Sequence, residues 1–311
     1  MAINFKEGSY NSCDTKHTVV YSNWFDGDKK PKAILQLCHG MAEYIDRYDD
    51  FARFMASGGY IVYGNDHLGH GRSVSSNDEL GYFAKKDGYR LLVEDVHLMT
   101  EIARKENPTL PLILLGHSMG SMVVRLYADS YSKDIDGLII MGTSGKNPLG
   151  GVGIAIVNII KLFKGENHRS KLIDNIGFGT YTKNYEDVQT PLDWLSKDRE
   201  SVKRYIEDEK CGFLFTLAGY NDLFHLLGTI SKKEWADGIR KDLPIFIVSG
   251  KEDPVGNYGR GVSEVRDVLK AKGIENVSMK LYDNLRHEIL NEPEKQQVYD
   301  DILNWCNKLT K

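Results

Sequence analysis

Residues 111–131, PLILLGHSMGSMVVRLYADSY, put a single hydroxyl, that of Ser118, at the tip of a forced turn. Leu112, Ile113, Leu114 and Leu115 make a short unbroken apolar run, the pattern of a strand buried on both faces of a parallel sheet. After the serine, Met122, Val123, Leu126 and Tyr127 recur at helical spacing. A strand that reverses directly into a helix strains its turn residue and crowds the backbone on either side of it. Gly116 and Gly120 carry no side chain to collide there.

Outward from this turn, apolar strands at 33–38 and 60–65 precede it, and helical patterns run from about 47 to 56 and from about 87 to 105. Strand and helix have alternated three times by Ser118, which predicts an α/β fold with a mostly parallel central sheet flanked by helices on both faces. Residues from about 3 to 24 read as short strands joined by polar turns, an antiparallel edge to that sheet. Downstream, the strand at 137–141 ends in Gly142-Thr143-Ser144-Gly145, and the alternation stops. It resumes with a strand at 245–249, a helix at about 261–271, a strand at 277–282 and a last helix at about 294–309. The expected division is therefore a core of residues 1–143 and 234–311 and a helical cap insertion of residues 144–233. Two apolar groups stand out in the cap. Ile156, Ile159, Ile160 and Phe163 form one stripe with Asn158 and Lys161 off it, and Phe213 and Phe215 lie in a second cluster. Packing against the core and contact with an acyl chain are both open to them.

The 311 residues are 41% hydrophobic, enough for a sizeable core, and carry a formal charge of -4 with both signs interspersed. No long basic run is present, so a grip on nucleic acid is not indicated. Cys13, Cys38, Cys211 and Cys306 are scattered without metal-ligand or redox spacing, which suits reduced thiols. The first ten residues lack the apolar stretch of a secretory signal, and no segment has the ~20 apolar residues that cross a bilayer. A cytoplasmic protein is expected, with transient membrane or micelle contact open to the cap. His67 and His70 sit in a Gly-rich loop after a strand; with no third ligand evident they are read as loop residues, and neither metal nor cofactor is expected.

A serine at its ordinary pKa is a poor nucleophile, so a base must take its proton and a third group must orient that base. G-x-S-x-G between a strand and a helix resembles the nucleophile elbow of α/β-hydrolases, whose triad runs Ser, then acid, then His in chain order, on loops after the last strands. Asp253 follows the strand at 245–249 and His287 follows the strand ending at 282. Glu252 and Asp283 are rival acids; Asp253 lies further past its strand in a Pro-bounded turn, and Asp283 precedes His287 too closely. Two backbone N–H groups would receive the charge that develops on the carbonyl oxygen. The hydrolase arrangement takes them from Met119 and from the loop after the strand at 33–38, at Met41. The plainer alternative is that His39-Gly40 only turns the chain.

Five motifs in order resemble the monoacylglycerol lipase and lysophospholipase branch of the α/β-hydrolases, also labelled serine aminopeptidase-like. They are His39-Gly40-x-x-Glu43, Asp66-His67-x-Gly69-His70-Gly71-x-Ser73, Gly116-His117-Ser118-Met119-Gly120, Gly250-x-x-Asp253-Pro254-Val255-Gly256 and Arg286-His287-Glu288. The resemblance implies Ser118, Asp253 and His287 as triad, the amides of Met41 and Met119 as oxyanion hole, and counterparts for Glu43 and Arg47 near the oxyanion loop. Candidate substrate contacts are Glu43, Arg47, Ile156, Ile159, Ile160, Phe213 and Phe215. The expected activity is hydrolysis of acyl-lipid esters, monoacylglycerols or lysophospholipids. A carboxylesterase on short or polar esters, and a ligand-binding protein with an idle triad, are the alternatives. Met41 is bulkier than the small residue common at its position in that branch.

Overall fold

Each apolar run supplies two cores at once, because successive residues of a strand point to opposite faces. Ile34, Leu112, Leu114, Leu138, Ile140, Ile245 and Ile247 join one buried cluster. Leu35, Leu37, Ile113, Leu115, Ile139, Phe246 and Val248 join the other. The structure, a computed structural model, describes residues 3–310. Its sheet has eight strands: β1 (Asn4–Asn11), β2 (Thr18–Phe25), β3 (Ala33–Cys38), β4 (Tyr60–Asn65), β5 (Leu112–His117), β6 (Gly137–Met141), β7 (Ile245–Gly250) and β8 (Val277–Tyr282). Their spatial order is β1-β2-β4-β3-β5-β6-β7-β8. The pairs β1/β2 and β2/β4 are antiparallel, and all the others are parallel.

Helices cover both faces. α1 (Asp49–Ser57) and α9 (Lys295–Leu309) bury Phe51, Met55, Val298 and Ile302 on one. α2 (Gly88–Glu106), α3 (Met119–Tyr131) and α8 (Arg260–Ala271) bury Leu92, Val96, Val123, Tyr127, Val265 and Leu269 on the other. This is the α/β-hydrolase architecture, and it puts Ser118, Asp253 and His287 beyond the carboxyl ends of β5, β7 and β8.

Between β6 and β7 the chain makes four α-helices: α4 (Leu149–Lys164), α5 (Lys171–Phe178), α6 (Arg199–Glu207) and α7 (Leu217–Ile230). Three begin with a side-chain cap, Ser170 accepting from the Ile173 N–H, Asp198 from Glu200 and Thr216 from Gly219. α4 lies along α7 on small residues: a Cβ on Gly150 would stand 2.6 Å from the Gly228 nitrogen. Val157 of α4 is wholly buried, whereas Val152, Ile159, Leu162 and Phe163 face outward, the last two more than 80% exposed. No helix among the described residues is long and apolar enough to cross a membrane.

Candidate active site

The turn at Ser118 is as tight as its glycines imply. Ser118 sits at φ 54°, ψ −120°, a strained conformation for a residue with a side chain. A Cβ on Gly116 would lie 2.4 Å from the Gly120 carbonyl oxygen, and one on Gly120 would lie 2.2 Å from that of Cys38. A Cβ on Gly40 would come within 3.1 Å of the Ser118 Cβ, so the loop after β3 is pressed against the elbow.

Asp253 is wholly buried, and its carboxylate is held from two sides: Oδ1 accepts the Val255 N–H at 2.8 Å and Oδ2 the Ser249 hydroxyl at 3.1 Å. The Nδ1 of His287 stands 3.0 Å from Oδ1, close enough for an ion pair, while its N–H direction is not aligned for a hydrogen bond. Such contacts tighten when substrate and transition-state charge are present. The Trp194 ring lies 5.0 Å from the imidazole, and the Trp194 carbonyl accepts the His287 N–H at 3.4 Å.

Ser118, Met41, Met119 and His287 share the wall of a cavity of about 330 Å³. Its remaining wall is largely apolar and comes mainly from the segment between β6 and β7: Phe178, Trp194, Leu195, Phe213, Leu223 and Phe224. Of the other candidate contacts, Glu43 and Phe213 line this cavity. Ile156, Ile159, Ile160 and Phe215 do not. Ile156 and Ile160 lean on the core, Ile159 is 59% exposed, and Phe215 is sealed among His70, Phe83 and Tyr220. The helical period marks an apolar face without saying which neighbour covers it.

Arg47 stands just behind the cavity wall and joins two buried carboxylates. It donates to Glu43 at 2.5 Å and, through two nitrogens, to Glu288 at 2.7 Å each. Glu43 Oε1 also receives the Gly40 N–H at 2.6 Å and the Tyr48 hydroxyl at 2.9 Å. Burial alone would raise the Glu43 carboxyl, but Arg47 and His117 outweigh it and hold the group well below the usual carboxylate range. Burial would lower His117, and its contact with Glu43 reverses that and raises it. This network buttresses the loop after β3 on one side and the residue after His287 on the other. The i,i+4 spacing of Glu43 and Arg47 was a readable signal for half of it; nothing local signalled Tyr48, Trp194 or Tyr205.

The histidines of the Gly-rich loop brace the same turn. His39 Nε2 accepts the His67 N–H at 2.9 Å and its Nδ1 donates to the Gly40 carbonyl; His70 Nε2 accepts the Ala42 N–H at 3.2 Å and its Nδ1 donates to the Leu68 carbonyl. With one nitrogen accepting, each ring is neutral, and burial pushes His70 down to about 3.

A family model described as serine aminopeptidase, S33, matches residues 29–294. The chain is 29% identical over 287 residues to the monoacylglycerol lipase of Mycolicibacterium smegmatis (strain ATCC 700084 / mc(2)155), covering 92% of each. It is 24% identical to the human monoglyceride lipase over 90% of this chain and 84% of that one. Among solved structures, a thermostable carboxyl esterase from Bacillus coagulans, in complex with glycerol, superposes with a TM-score of 0.92 at 30% identity over 99% of both chains. The strained serine elbow, the buried acid beside a histidine and the apolar cavity over them thus sit in a chain that belongs to the serine aminopeptidase S33 family of α/β-hydrolases.

Proposed function

We propose that this protein, a carboxylic ester hydrolase, cleaves monoacylglycerols through an acyl-enzyme on Ser118. In this mechanism His287 takes the Ser118 proton as the hydroxyl attacks the ester carbonyl, and Asp253 fixes the imidazole and stabilises the imidazolium without becoming protonated. The Met41 and Met119 N–H groups receive the developing oxyanion. Protonated His287 then gives its proton to the departing alcohol, and water repeats the sequence to free the fatty acid.

The observation that carries the choice of substrate is the composition of the cavity wall. It is apolar over most of its area, which suits an acyl chain, and among its described residues it has no lysine or arginine. Its charged members are the carboxylates Glu43, Asp174 and Glu288, of which Glu43 and Glu288 are answered by Arg47 behind the wall. A lysophospholipid phosphate would enter without a cationic partner, and an unpaired anion in such a site is costly. An uncharged glycerol head group avoids that cost. Four buried methylenes supply roughly 3 kcal/mol at about 0.8 kcal/mol each, or on the order of a hundredfold in kcat/KM.

A panel of monomeric esters tests this reading. The expected result is kcat/KM rising from butyryl to about dodecanoyl, with 1-lauroylglycerol favoured at least tenfold over lauroyl lysophosphatidate, and Phe213→Ser flattening the rise. Preference for acetyl or butyryl esters would replace it with a short-ester hydrolase. Stoichiometric binding without turnover would leave a binding protein.

A further inference from the structure

The structure points to Tyr205, on the cap helix α6, as a positioning residue that makes the oxyanion hole depend on the cap being seated. We infer this from the backbone of Ala42, and it rests on the assignment of the Met41 N–H to that hole. Ala42 adopts φ 50°, the left-handed region that a residue with a Cβ avoids. Such a conformation persists only when its surroundings over-determine it.

Here every polar group of Ala42 is held. Its N–H goes to His70 Nε2, a core residue, at 3.2 Å. Its carbonyl oxygen accepts two bonds, both from the segment between β6 and β7: the Tyr205 hydroxyl at 2.9 Å and the Gly212 N–H at 2.9 Å. Tyr205 is buried, and its ring lies against the Arg47 guanidinium at 4.7 Å from the centroid. Arg47 in turn holds Glu43, whose carboxylate receives the Gly40 N–H. The two residues flanking Met41 in the turn are therefore both fixed with help from Tyr205, Ala42 directly and Gly40 through Arg47 and Glu43.

The cap reaches the base loop as well. The Leu195 carbonyl accepts the Glu288 N–H at 2.7 Å, beside the Trp194 bond to His287. Neither the oxyanion turn nor the histidine loop completes its backbone hydrogen bonds from the core alone. Displacing α6 together with the loop that follows it to Gly212 leaves the Ala42 carbonyl without either donor and frees its φ to relax to the ordinary negative region, turning the Met41 N–H away from Ser118. Hydrolytic competence and cap seating are then one equilibrium, and an acyl chain that bridges the two stabilises both.

Tyr205→Phe removes the hydroxyl and keeps the ring on Arg47. The expected result is a fall of about tenfold in kcat with KM within twofold, equal for p-nitrophenyl acetate and p-nitrophenyl laurate, and an equal slowing of covalent trapping by a fluorophosphonate, whose phosphoryl oxygen needs the same hole. The acetate matters because it is too short to use the apolar wall. A kcat within twofold of the wild type on both esters would overturn the proposal. So would a loss confined to KM or to the laurate, which would make Tyr205 a substrate contact. Failure of the probe to label wild-type Ser118 would instead sink the serine mechanism beneath it, so the two failures are distinguishable.

Discussion

The carboxyl edge of the sheet and the segment between β6 and β7 meet at one cavity, yet they are specified in different ways. At the sheet edge, chemistry is placed by backbone constraint: Ser118 is where it is because Gly116 and Gly120 allow a passage no other residue fits, and Asp253 is pinned by Val255 and Ser249. In the segment between β6 and β7, placement follows from which apolar side chain happens to face the core, the cavity or solvent. Phe213 lines the cavity while Phe215, two residues on, is sealed in the core, and Ile159 stands on the surface one residue from half-buried Ile160. Local rules are strong where covalent geometry is limiting and weak where only burial is shared out.

The largest test of this contrast is Asp253→Asn. The change keeps the size of the side chain but removes the charge facing His287, so kcat should drop by about 10⁴ with little change in KM, as when a triad aspartate is amidated elsewhere. A loss under tenfold in steady-state assays would mean that Glu252 or Asp283 serves as the acid. Next comes Gly120→Ala, where the added methyl has only the Cys38 and His39 carbonyls to occupy. Overpacking should cost about 1–3 kcal/mol or more in urea unfolding. An Ala variant of native stability would show that the elbow tolerates a side chain.

A smaller effect should appear in the pH dependence of stability. His70 is pushed from the ordinary imidazole range down to about 3. Between those values the unfolded chain binds a proton that the folded one refuses, so stability is present above the unfolded pKa and is lost as pH falls toward 3. His70→Gln offers a carbonyl to the Ala42 N–H and an amide to Leu68 without titrating. Its unfolding free energy should decline less steeply from pH 6 to 4, by up to one proton or about 1.4 kcal/mol per pH unit. Parallel curves for the two proteins would place the proton uptake elsewhere. The least effect belongs to the outer face of α4: Leu162→Ser with Phe163→Ser should change stability by less than about 0.5 kcal/mol and leave turnover of a soluble butyryl ester alone. A clear loss on that ester would mean these side chains reach the cavity.

The fold was legible because its strands are short, continuous apolar runs closed by Gly, Asp or His, and each of the central ones lies where its run was seen. Ser118, Asp253 and His287 were singled out through chain order, since a loop after a named strand leaves few candidates, and the structure brings Asp253 beside His287 and His287 to the same cavity wall as Ser118. The cap was read only as an apolar helix and polar loops. Its later helices announce themselves weakly, by Ser170, Asp198 and Thr216 at their starts, and α7 begins at Leu217, two residues past the cluster of Phe213 and Phe215. The Arg47 network was half visible, because Glu288 and Tyr205 join it from 241 and 158 residues away and no spacing rule spans such gaps.

The central claim is that one hydroxyl at the strained turn carries the acyl group, and the direct measurement is mass spectrometry of acid-quenched enzyme during turnover of p-nitrophenyl butyrate. One butyryl group should appear on the peptide bearing Ser118 in the wild type and be absent in Ser118→Ala, whose kcat should fall by roughly 10⁴ to 10⁶. A Ser118→Ala protein that keeps more than about a tenth of wild-type turnover, or a butyryl group found on another residue, would contradict it.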